Sequence, residues 1–240
     1  MEFWKIALLL YLSSVILLCL QKDKASLVLF ILALVSHAAG LMFWTSQVTH
    51  LPIFTRVETF SSLGFVIGLL SLFFYWHNRF SVQLWARLIV ISLLSAALLW
   101  PPTPPCFDYN HSYIFAVLFH LFRRLALALA LFASAIFLSA RQRFKNSPPE
   151  AATLRFQGRN ALMAAVLIYL LSEDVGIIWC LKGWADIWRW SPGFMISSMV
   201  LIYLMLALHL PGGSRKPGLW YTLVGISCGP LMLIAQLYKV

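Results

Sequence analysis

Acidic side chains are scarce in this sequence: 8 Asp and Glu among 240 residues, with only 11% charged residues in total. So thin a polar complement excludes a soluble globular domain, because about a quarter of such a domain is normally charged. Only 4 cysteines are present. None forms a CxxC pair and there is no CxxCH, which excludes a thioredoxin-type redox motif and a covalent c-type haem attachment site. Cys106 and Cys180 both fall near one expected membrane face, where a disulfide can form, but neither spacing nor sequence specifies a partner. Nothing reads as a HExxH helix, a phosphate loop, a G-x-S-x-G elbow or a metal-spaced Cys/His cluster. Hydrolase and nucleotide-driven pump readings therefore have no support.

Long apolar runs are what the chain does have. Hydrophobic residues make up 61%, and eight runs approach the roughly 20 residues needed to cross a bilayer. They cover about 3–20, 26–45, 59–76, 82–100, 112–139, 159–181, 193–211 and 218–237. In lipid every backbone polar group must be satisfied internally, so the runs predict helices. The expected fold is an all-α, polytopic membrane helix bundle of about eight transmembrane helices, forming one integral membrane domain over 1–240. The first run has no basic leader and no small-residue cleavage site, and is expected to be a retained first helix.

The formal net charge is +10, but its placement speaks for topology and not for nucleic acid. Alternate connections hold Lys22, Lys24, Arg79, Arg141, Arg143, Lys145, Arg155, Arg159, Arg215 and Lys216, ten residues; the opposite connections hold Lys5, Arg56, Lys182, Arg189 and Lys239, five. Such a bias predicts that both termini and the 182–193 connection face outward, to the periplasm or its equivalent.

Ionisable residues inside spans are functional hypotheses by default. His37, His120 with Arg123 and Arg124, and Glu173 with Asp174 each fall about eight residues from the expected outer boundary. At 1.5 Å per residue that is one level, roughly 12 Å deep. Two histidines at one depth can supply axial nitrogens to a haem iron, with the arginines on its propionates. Alternatively the arginines neutralise Glu173 and Asp174, and the histidines bond within the core. His209 and His77, near the opposite face, are either a second axial pair or interfacial histidines. The connection WADIWRWSPG places Trp184, Trp188 and Trp190 within seven positions, which suits an interfacial belt or a flat platform for an aromatic ligand.

Three blocks in order carry a resemblance. GWADIWRWSPGFMISSMVLIYLMLALHL resembles a tryptophan-rich signature, W-G-x-x-W-x-W-D, followed by a span that ends near a histidine. Trp184, Trp188, Trp190 and His209 match it. SHAAGLMFWTSQVTHLPIFTRVETF is similar to an H-x-x-G-L…G-H-x-P…E element through His37, Gly40, Leu41, His50, Pro52 and Glu58. SYIFAVLFHLFRRLALALALFA resembles a long span opened by a histidine, here His120. Together they resemble the cytochrome c assembly protein family, the CcsA-, CcmC- and HemX-like haem-handling membrane proteins. The chain departs from that pattern at Ser191, where the family has Asp, and lacks a further outward histidine after the last span. The resemblance implies non-covalent, b-type haem handled at the outer face of a bacterial-type cytoplasmic membrane, with His37, His120 and His209 as candidate iron ligands. It implies tryptophans on the ring, Arg123 and Arg124 near the propionates, and cytochrome maturation proteins or respiratory membrane proteins as partners. Any haem-ligase activity would need such a partner, and no nucleic acid is expected. The alternative is a di-haem b-type electron-transfer subunit, with His37 and His120 on one haem and His77 and His209 on another. A third is a haem-free assembly scaffold.

Overall fold

The computed structural model describes residues 1–48, 50–73, 80–101, 113–144, 146–185, 192–210 and 219–237. His77, Trp188, Arg189, Trp190, Ser191, His111 and Cys106 lie outside them, as do the side chain of Trp184 and the Cys106–Cys180 pairing. The described residues form eight helices and no strand. They are α1 (Glu2–Cys19), α2 (Asp23–Val48), α3 (Arg56–Phe73), α4 (Phe80–Leu99), α5 (Ile114–Arg143), α6 (Pro148–Trp184), α7 (Pro192–His209) and α8 (Leu219–Leu237). Seven are long and apolar enough to cross a membrane, and α7 is a shorter apolar helix. The chain is a multi-pass helical membrane protein. It divides into two compact units, Met1–Asp108 and Tyr109–Val240.

In unit 1, α1 packs chiefly on α2, α3 on α4, and α1 also on α4. The buried stripe of α1 is Trp4, Ala7, Tyr11, Ser14 and Leu18, one residue every three or four positions as a helix face requires. Leu9, Ile16, Val35 and Met42 point outward, so this surface is apolar where a soluble helix would be polar. The interior holds the polar groups instead. Arg87 of α4 is fully buried, its Nη1 donating to the Ser14 carbonyl and the Ser26 hydroxyl, with its guanidinium 4.3 Å over the Phe30 ring. Ser71 and Gln83 bond to each other between α3 and α4.

The start of α3 is set by a capping box. The Thr55 hydroxyl accepts from the Glu58 N–H at 3.3 Å, and the Glu58 carboxylate accepts from the Thr55 N–H at 2.9 Å. Two end groups of the helix are thereby satisfied reciprocally.

In unit 2, α5 is the central helix, packed along α6 and α8. Its buried face is mostly small: Ala126, Ala130, Ala133, Ser134 and Ala140 all lie inside. Small residues let helix backbones approach closely in a membrane. At Gly229 of α8 an added Cβ would stand 2.7 Å from the Leu131 Cα, so only glycine fits this approach. The Gly229 N–H donates to the Ser134 hydroxyl at 3.2 Å, one residue before Pro230 interrupts the α8 ladder. Helix α6 is 37 residues long and begins eleven positions before the expected 159. Its first turn accommodates Pro148 and Pro149, where a missing N–H is harmless. Arg155 and Arg159 therefore stand on α6 and not in a connecting loop. The helix ends at Ala185, whose left-handed φ of 55° turns the chain away.

Candidate functional site

Four helices of unit 2 meet at Arg123. From α5, Arg123 donates through Nε to Ser172 Oγ of α6 at 3.2 Å and through Nη2 to Ser197 Oγ of α7 at 2.9 Å. The same Nη2 bonds the carboxylate of Glu173. Helix α8 joins through Gln236, whose amide donates to the Arg123 carbonyl at 3.3 Å and accepts from Arg124 Nη1 at 2.6 Å. The guanidinium also lies 4.7 Å over Phe119 and 4.6 Å over Tyr169. Tyr169 donates in turn to the Ser197 carbonyl at 3.0 Å. An ionised side chain in a span must be paired and bonded to persist there. Arg123 meets both conditions through protein groups alone, so of its two expected roles the structure displays acid pairing. Asp174, beside Glu173, is exposed.

One turn before Arg123, His120 is half-buried. Its ring stands edge-on to Phe119 at 5.3 Å and 6.3 Å from Trp179 of α6, and Phe119 and Trp179 are themselves 5.7 Å apart. Gly176 admits this arrangement, since a Cβ there would touch the Phe119 ring at 3.0 Å. Lys182 extends the group with Nζ 4.9 Å over Phe115. An imidazole, an aromatic wall and a cation thus lie on the side of unit 2 where α6 runs into the Trp-rich connection.

His209 is exposed at the end of α7 and donates from Nδ1 to the Met205 carbonyl at 2.8 Å. It lies twelve residues beyond Ser197, about 18 Å along the helix at 1.5 Å per residue. Ser197 is the α7 residue that Arg123 reaches, so His209 and His120 are at opposite ends of unit 2 and cannot share one iron.

In unit 1, His37 is fully buried. Its Nδ1 is 3.3 Å from the Tyr11 hydroxyl and its Nε2 3.1 Å from Ser61 Oγ. A neutral imidazole has one donor and one acceptor nitrogen, and both are engaged here. Near the start of α3, His50 is buried, with Nε2 3.8 Å from the Glu58 carboxylate, which also accepts from Trp44 Nε1 at 3.1 Å.

A haem ligand needs a ring nitrogen free to approach the iron and space beside it. As packed, His37 offers neither. His120 is half-buried against Phe119 and Trp179, and Lys182 suits a propionate better than Arg123, which Glu173 engages. A cavity of about 270 Å³ between α7 and α8 is lined by Met199, Tyr203, Cys228 and Met232 with no histidine. Among the described residues no three His, Cys, Asp or Glu side chains cluster to hold a bare metal ion.

No family model, curated protein or solved structure matches this chain. The site is therefore carried by its own chemistry. Sequence reasoning missed Tyr169, Ser172, Ser197, Gln236 and Trp179. A signal did exist for the serines and glutamine, because hydrogen-bonding side chains inside apolar spans commonly join helices.

Proposed function

We propose that this chain is a haem-handling membrane protein of the cytochrome c assembly type, holding non-covalent haem at the end of unit 2 that carries the Trp-rich connection. The carrying observation is the His120 imidazole, half-buried beside Phe119 and Trp179. The three ordered sequence blocks support the same reading. Bound haem would supply an iron for axial ligation and a porphyrin for transfer to a partner. His120 would offer the axial nitrogen, Phe119 and Trp179 would wall the ring, and Lys182 would meet a propionate. Trp184, Trp188 and Trp190, which match the tryptophan-rich signature in sequence, would contribute indoles for the porphyrin to stack on. Arg123 acts through structure, holding α5, α6 and α7 so that His120 keeps its place.

The test is haem quantitation and an absorption spectrum of protein purified from haem-replete cells. His120→Ala should lose most bound haem, whereas His209→Ala should keep it. Retention in His120→Ala would reject the assignment. A haem-free assembly scaffold is the second reading. The engaged nitrogens of His37 and the Arg123–Glu173 pair favour it, and a parent protein without pigment would select it.

A further inference from the structure

The opposite end of unit 2 carries a feature independent of haem. Helix α6 contains 37 residues, about 55 Å at 1.5 Å per residue, against a hydrocarbon layer of about 30 Å. Its apolar part, 161–181, fills that layer. The preceding PPEAATLRFQGRN, 148–160, projects roughly 20 Å beyond it. On this projection Arg155 and Arg159 stand four residues apart, on one face of α6. The Arg155 guanidinium also stands 5.9 Å over the Phe144 ring. Arg141 and Arg143 close the last turn of α5. Across 141–160 the acidic residue is Glu150 alone.

Two exposed aromatic rings stand among these cations: Phe144 is 41% and Phe156 65% accessible. Phe156 continues the outward apolar stripe of Met163, Leu167 and Leu170, all exposed, at seven- and four- and three-residue steps. That continuity ties the ring to the lipid-facing side and places it at headgroup level. An acidic soluble protein would satisfy the arginines but would meet Phe156 only where the bilayer already stands. Arginine matches phosphate geometry through its planar fork, and basic clusters just outside a span attract anionic lipid.

We propose that the α5–α6 elbow is a binding site for an anionic phospholipid headgroup, with Arg155 and Arg159 on the phosphate and Phe156 beside it at headgroup level. The test titrates detergent-purified protein with phosphatidylglycerol or with phosphatidylcholine of the same chains, reading the thermal unfolding shift. Phosphatidylglycerol should raise the midpoint and phosphatidylcholine should do so far less. Arg155→Gln/Arg159→Gln should weaken the apparent phosphatidylglycerol affinity about 30-fold, from roughly fivefold per charge. Arg155→Lys/Arg159→Lys should retain most of it. If the paired Gln variant fails to fold, each single Gln variant should show about a fivefold loss. Equal response to both lipids, or undiminished response in the Gln variants, overturns the proposal. So does equal protection by glycerol phosphate, which marks a free-anion site, or by polyglutamate, which marks a protein partner.

Discussion

Substituting both members of the Arg123–Glu173 pair should be far less damaging than the two single changes suggest. The Arg123 side chain is 7% exposed and that of Glu173 25%. Arg123→Met leaves the Glu173 carboxylate without its guanidinium and deletes the bonds to Ser172 and Ser197. Removing one partner of a buried pair costs about 3–5 kcal/mol, and here about 4 is expected, because water still reaches Glu173. Glu173→Leu leaves the arginine with two hydroxyls and two ring faces, and should cost about 3 kcal/mol by the same reasoning. The double variant removes both charges and substitutes apolar volume. Its cost should be about 5 and not 7 kcal/mol, a coupling of about 2 kcal/mol, inside the range for contacting residues. Equilibrium unfolding in mixed micelles, followed by circular dichroism, measures all four proteins. If the double variant costs the sum of the singles to within about 0.5 kcal/mol, the pair is not formed in the membrane. Arg123 would then be available to a propionate.

His37→Leu should destabilise unit 1 by about 1–3 kcal/mol, because Tyr11 and Ser61 keep buried hydroxyls without their ring partner; Tyr11→Phe in the same background should recover part of that loss. A parent-like melting curve for His37→Leu would show that the imidazole is not bonded as described. Gly229→Ala should cost at least about 1–3 kcal/mol through overpacking against Leu131, read by the same unfolding assay, whereas the exposed Ala152→Gly change should cost about 1 kcal/mol or less. Glu58→Ala should cost about 1–2 kcal/mol through loss of the α3 capping box, with hydrogen exchange rising first at Phe54 and Thr55. A cysteine at Ala185, with native cysteines replaced, should label from outside intact spheroplasts with an impermeant reagent. Labelling only after lysis would reverse the expected orientation.

The helices were legible because hydrocarbon imposes one rule, an apolar run of spanning length, which seven of the eight obey and the shorter apolar α7 approaches. The beginning of α6 escaped that rule: Pro148 and Pro149 look like a break, yet they are acceptable in a first helical turn. Arg123 and Glu173 were legible as costly charges and acid pairing as one of two roles, but which arginine takes which partner was not. Partner choice depends on which faces of α5 and α6 meet, and apolar runs without strong amphipathicity leave helix rotation unmarked. For the same reason Arg87 went unnoticed beside Ser14 and Ser26, residues 73 and 61 positions away. His120 was visible from its place opening a long span. Trp179, which faces it across the α5–α6 contact, carried no local signal.

The close seam between α5 and α8 has a consequence for the order of assembly. Gly229 follows Ser134 by 95 residues, so at about 5–20 residues per second α5 is made roughly 5–20 seconds before its partner. During that interval α6 can cover one side of α5, but the alanine–serine groove that receives Gly229 still lacks its α8 partner. The α5–α6 hairpin is thus the founding piece of unit 2, and α8 arrives as its closing strap. Any newly inserted helix with a glycine at the right pitch could occupy the groove first, which makes this interval the point at which a membrane chaperone would have most effect.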